Sequence, residues 1–153
     1  MNREYVLILT LAVVVLATAI IYFILVHNEY TSLIEFTAEG LDGEISEHQI
    51  EIALFAGSGI LYLGLLRWIL VKKLKSFVPY SILIITSTIL IITYAASRTI
   101  GVSIIGVEFY IGKYDILTKL LQGIIIALSG YLLYRKITLN KYRTQEKNLK
   151  SKT

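Results

Sequence analysis

An all-α bundle of four membrane-spanning helices is the fold this sequence predicts, and three observations predict it. Hydrophobic residues make up 56% of the 153-residue chain and charged residues only 17%, with a mean hydropathy of +0.69; such a composition belongs in lipid. Four apolar stretches, at about 5–26, 50–71, 79–97 and 116–134, approach or exceed the ~20 residues that cross a hydrocarbon core at ~1.5 Å per residue. The segments between them differ in charge by position, as loops on opposite membrane faces do. The length suits one domain, so residues 1–136 are expected to form a single bundle and 137–153 a basic tail.

The first stretch follows Arg3 and contains Ala17-Thr18-Ala19, which has the small-x-small form of a signal cleavage site. Its apolar run continues through IIYFILV, as suits an uncleaved anchor, and cleavage would leave three spans with the same outer face. Residues 27–49 then carry Glu29, Glu35, Glu39, Asp42, Glu44 and Glu47 without a lysine or arginine. By contrast Lys72, Lys73 and Lys75 separate the second and third stretches, and seven lysines and arginines follow Tyr134. The positive-inside rule therefore places both termini and the lysine turn in the cytoplasm of a cell-membrane protein, with 27–49 and 99–114 outside.

In the second stretch Ala53, Gly57 and Gly64 fall on nearly one helix face, and in the fourth Gly123, Ala127 and Gly130 form a similar stripe. Small residues let helix backbones approach closely in lipid, so the second and fourth helices are expected to be neighbours. Pro79 opens the third stretch, where a missing first-turn amide costs nothing. The outer segment SRTIGVSIIGVEFYIGKYD carries Gly101, Gly106 and Gly112 among β-branched residues, a pattern expected to form an interfacial flap over the bundle mouth. Phe109, Tyr110 and Tyr114 suit the headgroup level. The tail NKYRTQEKNLKSKT is expected to be disordered or to lie near anionic headgroups, with a plain topology determinant as the competing reading of its charge.

Counting ~20 residues outward from each cytoplasmic end places His27, Glu51, Arg98 and Asp115 in one layer, within snorkelling reach of Lys119. The stretch EISEHQIE at 44–51 brings Glu44, His48 and Glu51 to one broad helix face. Three accounts of this rim compete. Ser46 and Gln49 match a capping box, with the carboxylates favouring a helix N-terminus. Glu51, Arg98, Asp115 and Lys119 can form an ion-pair layer that keeps the outer helix ends in register. Finally His48 with Glu44, Glu51, Glu108 and His27 can bind a cation, for which imidazole and carboxylates suit copper or zinc.

Several chemistries are excluded. Without cysteine there are no disulfides, thiolate metal sites or Cys-x-x-Cys-His haem attachment, and the paired Glu-x-x-His of a di-iron bundle is missing. The formal charge of +4 is carried by residues flanking apolar segments, which points to topology rather than nucleic acid. The spans hold hydroxyls and Gln122 at mid-membrane but no acid or base, which argues against a proton relay.

The run Ser97-Arg98-Thr99-x-Gly101, followed by Gly106-x-Glu108 and by Asp115 opening the last helix, resembles a family of small four-helix membrane proteins, mostly uncharacterised. In that family a histidine- and glutamate-bearing second helix precedes a Ser-Arg-Thr-x-Gly-x-Pro loop. Here Ser103 or Ile104 stands where proline is usual. The resemblance implies that Arg98, Glu108, Asp115, His48 and Glu51 belong to a polar outer face, and it implies no reaction.

The sequence thus reads as a small non-catalytic membrane protein with an acidic extracytoplasmic face. It is expected to act as an accessory or scaffold subunit of a larger complex, such as a respiratory complex or membrane monooxygenase. Its partners are then lipid and other integral membrane subunits, and no cofactor is required. The alternative is an outer-face metal-binding protein, or a metal-assisted enzyme, built on His48 and nearby carboxylates.

Overall fold

The computed structural model describes residues 3–39, 42–72, 76–101 and 112–150, with their side chains except at 42–44, 140 and 142–150. It is helical throughout: α1 Arg3–Glu39, α2 Asp42–Lys72, α3 Val78–Thr99 and α4 Lys113–Lys150. All four are long and apolar enough to cross a membrane. The four-helix membrane architecture legible in the sequence is therefore the one observed. The expected flap falls on residues 102–111, outside the described residues.

The helices form a ring in chain order. Contact is most extensive between α1 and α2, intermediate for α3–α4 and α1–α4, and sparsest along the α2–α3 seam. Buried side chains recur in steps of three and four: Ile8, Leu11, Val15, Tyr22 and Leu25 on α1, and Thr118, Gln122, Ile125, Ser129 and Leu132 on α4. That spacing keeps one stripe facing the bundle axis in closely aligned helices. Tyr62, Leu65 and Ile69 of α2 and Tyr80, Leu83 and Ser87 of α3 complete the core.

The expected α2–α4 neighbourhood is corrected by this arrangement, since the two helices lie on a diagonal. Ala53, Gly57, Gly64, Gly123 and Ala127 are exposed and Gly130 is half-buried. A Cβ built on any of the four stripe glycines would meet nothing within 4 Å. The physical reason is the competing demand of polar side chains. Tyr62 and Gln122 would leave hydrogen-bonding groups in hydrocarbon if they faced outward, so they take the axis and turn the small-residue stripes away. The glycine that does permit close approach is Gly59, where a Cβ would lie 3.1 Å from the Phe23 ring of α1.

Helix ends explain two further differences. The helix at 42 begins before Ser46, so Ser46 and Gln49 lie inside α2 and cannot form its N-terminal capping box. Similarly α1 continues to Glu39, making most of the acidic outer segment helical, and α4 continues to Lys150, so the basic tail is helix instead of disordered chain. Lys, Arg, Gln, Glu and Leu favour helix, and neither glycine nor proline follows Gly130 to stop it. The α3 start matches its sequence signal: Pro79 lies in the first turn and the Ser76 hydroxyl accepts the Val78 N–H at 3.3 Å. At the far end of α3 the Ile100 N–H donates to Ala96 at 3.0 Å and Gly101 takes φ 73°, a left-handed helix stop that a side chain would strain. At the end of the bundle opposite that turn, Arg135 of α4 reaches Glu4 of α1 at 3.3 Å. The two chain ends therefore enter the bundle from the same side.

Candidate functional site

Midway along the bundle one polar side chain from each helix meets the others. The Gln122 amide of α4 donates to the hydroxyl of Tyr22 on α1 at 2.8 Å and to that of Tyr62 on α2 at 3.3 Å. Tyr62 in turn shares a 2.9 Å hydrogen bond with Ser87 on α3. The Tyr22 and Tyr62 rings stack with centroids 5.9 Å apart. All four residues are buried. Interhelical hydrogen bonds in membranes contribute only about 0.6 kcal/mol each on average, but this set satisfies groups that lipid cannot and fixes the four helices in one rotational register.

Beyond this layer, toward the α3–α4 turn, the helices enclose a cavity of about 740 Å³ to which all four contribute. Tyr22 belongs to both the layer and the cavity wall. Leu54, Phe55, Ile89 and Leu90 form an apolar wall along the α2–α3 seam. Leu54 and Ile89 are 49% and 56% exposed, and they stand on the two neighbouring helices whose mutual contact is sparsest.

The polar lining comes from two directions. On α3 and α4, Arg98 donates to Asp115 at 3.2 Å, and the same carboxylate oxygen accepts the Gly112 N–H at 3.1 Å. Asp115, third residue of α4, thereby reaches back over the helix start as the acid of a capping box does, while also holding Arg98 across the turn. Lys119 lies one turn deeper and places its ammonium 4.9 Å from the centre of the Tyr94 ring, with Arg98 at 5.0 Å from the same ring. Both cations gain from the ring's negative faces. Among the described residues no carboxylate lies within salt-bridge distance of Lys119.

On α1 and α2, His48 Nδ1 lies 2.8 Å from Glu29 and 3.9 Å from Glu51, and Phe36 stacks on the imidazole with centroids 5.0 Å apart. The hairpin of α1 and α2 is thus fastened by a histidine whose plane is set by one neighbour and whose nitrogen is set by another. Glu29 and Glu51 both line the cavity.

The structure gathers Glu51, Arg98, Asp115 and Lys119 around one cavity, with Arg98 and Asp115 3.2 Å apart as an ion pair. Of the cation-ligand set, His48 and Glu51 meet, and the third member is Glu29. His27 is exposed and points away, because side chains two apart on a helix diverge. Glu44 and Glu108 lie outside the residues whose side chains are described. Glu29 is not evident from the sequence, because nothing there shows that α1 stays helical far enough beyond its apolar span to run beside the start of α2. Ligand atoms of Glu29, His48 and Glu51 lie within 4.8 Å of one another, a donor set that suits zinc or copper with water completing the coordination.

Comparison with protein-family models, with curated proteins and with solved structures returned no match to this chain.

Proposed function

We propose that this protein is a multi-pass cell-membrane protein that binds an amphiphilic molecule from the bilayer in the cavity at one end of its bundle. The observation that carries this reading is the cavity itself, about 740 Å³ in volume, with ionic side chains on two walls and an apolar wall open along the α2–α3 seam. That volume falls in the range of small-molecule sites. A wall of leucine, isoleucine and phenylalanine suits a hydrocarbon tail, and charged groups at the same site suit a polar head. With the lysine turn and both termini in the cytoplasm, the cavity opens toward the extracytoplasmic leaflet. The role is one of binding and presentation, since no nucleophile–base pair or phosphate cradle accompanies the site among the described residues.

The test is photolabelling in vesicles with phospholipids carrying a diazirine in one acyl chain. Modified peptides are expected at Leu54 and Ile89 well above the labelling of other lipid-facing residues. Uniform labelling around the bundle would count against a seam-linked site.

A second reading is an accessory or scaffold subunit of a larger membrane complex. It is supported by the stripes of Ala53, Gly57 and Gly64 and of Gly123 and Ala127, which are exposed among the described residues and which in lipid suit the close approach of another helix. Co-migration with larger subunits after mild solubilisation tests it. Recovery of a lone chain would remove it.

A further inference from the structure

The charges around the cavity are sorted by helix pair: Glu29 and Glu51 come from α1 and α2, while Arg98 and Lys119 come from α3 and α4. Asp115, the remaining acid of the lining, is engaged by Arg98 and by the Gly112 N–H, and His48 stands 2.8 Å from Glu29 and 3.9 Å from Glu51, leaving both carboxylates further acceptor sites. Resting on the reading of the cavity as an amphiphile site, we infer that its ligand is a zwitterionic phospholipid with a primary amine in its headgroup. Its phosphate lies toward Arg98 and Lys119, and its ammonium toward Glu29 and Glu51.

Charge complementarity selects this class. A phosphate suits the planar donor fork of an arginine together with the point charge of a lysine. Carboxylates can only accept hydrogen bonds, and a primary ammonium supplies three N–H donors where a quaternary one supplies none. A headgroup with a single negative charge would satisfy the basic wall but leave the two glutamates facing it, and like charges in a partly desolvated site repel strongly. The length of the site agrees, because the apolar wall between Leu54 and Ile89 begins beside the charged residues and leads to the exposed α2–α3 seam. The head is held inside while the acyl chains leave sideways into the bilayer.

The purified full-length protein, equilibrated with mixed micelles holding equimolar phosphatidylethanolamine, phosphatidylcholine and phosphatidylglycerol, is analysed for retained lipid by native mass spectrometry. Phosphatidylethanolamine is expected to be retained about tenfold over each of the others, the effect of one charge-assisted hydrogen bond. Glu51→Gln should abolish the preference over phosphatidylglycerol, and Glu29→Gln should do the same if the first variant does not fold. Lys119→Met should lower retention of all three. Glycerophosphoethanolamine, which has the same head without acyl chains, should compete poorly, and effective competition by it would overturn the lipid assignment. Retention of phosphatidylglycerol equal to or above phosphatidylethanolamine overturns the zwitterion and leaves the cavity reading standing. Equal retention of phosphatidylcholine overturns the primary amine. Retention of no lipid overturns both. Stoichiometric zinc that is lost in His48→Ala and that displaces phosphatidylethanolamine would assign the acidic wall to a metal and overturn the amine contact.

Discussion

The two ends of the bundle are built from the same four helices and behave differently. At the end holding Glu4 and Arg135, the inward positions are Ile8, Leu11, Leu65, Ile69, Tyr80, Leu83 and Leu132, all buried. At the other end the inward positions are Glu29, Glu51, Tyr94, Arg98 and Lys119, and they surround open volume. Aliphatic side chains interdigitate to high density and draw helices together. Charged ones resist such collapse, because close packing would strip solvent from the ions. The bundle thus closes where aliphatic side chains meet at its axis and opens where charged ones line it. The layer of Tyr22, Tyr62, Ser87 and Gln122 marks the boundary: the Gln122 amide N–H groups and the tyrosine and serine hydroxyls join the four helices, and the buried Gln122 carbonyl oxygen has no partner among the described residues.

Seven substitutions sharpen that contrast, each read by reversible unfolding in mixed micelles. The largest effect is expected from Leu65→Ala at the closed end, where a side chain 2% exposed leaves a cavity and costs roughly 2–4 kcal/mol. The paired change Leu54→Ala, on the wall of the open end, should cost under about 0.5 kcal/mol. Equal costs would mean that the two ends are packed alike. Next, Arg98→Ala removes the ion pair from a half-buried Asp115 and should destabilise by roughly 2 kcal/mol, with Arg98→Lys restoring only part because the fork geometry is lost. An unchanged stability would mean that the rim does not help to hold α3 against α4.

Tyr62→Phe is expected to cost about 1 kcal/mol, since it deletes two interhelical hydrogen bonds at the boundary layer while preserving the ring stack. A loss well beyond that would show the layer to be cooperative. The smallest effect belongs to Gly57→Leu and Gly123→Leu, where a new side chain meets open space and the isolated chain should change by less than about 0.5 kcal/mol. If the protein serves as an accessory subunit, the same variants lower recovery of the intact complex at unchanged chain stability. Unimpaired recovery would deprive that reading of its interface.

The number, order and approximate position of the helices were legible because apolar length alone defines a membrane span. Of the residues that counting sets at one level, Glu51, Arg98 and Asp115 line one cavity, whereas His27 is exposed. What the sequence did not disclose was rotation about the helix axes. Ala53, Gly57 and Gly64 make a plausible contact face by spacing, yet the face carrying Tyr62 lies roughly 140° around from Gly57 and takes the interior because its hydroxyl needs a partner. Glu29 was hidden for a related reason. Its place beside His48 depends on α1 remaining helical past its apolar span, and Asn28, a residue type that also ends helices, lies just beyond Val26 without ending this one. The cavity, finally, is a property of four helices together, and no single segment encodes it.

The central claim, that the open end is a site for a bilayer amphiphile, is tested most directly by the stoichiometry of bound lipid in the protein and in a Ser58→Trp variant. Ser58 lines the cavity, so an indole there fills the volume that a ligand would occupy. The account predicts one retained phospholipid per wild-type chain in native mass spectra, and its loss in Ser58→Trp with the unfolding transition preserved. A wild-type chain that emerges free of lipid, or a Ser58→Trp variant that retains it undiminished, would contradict the account.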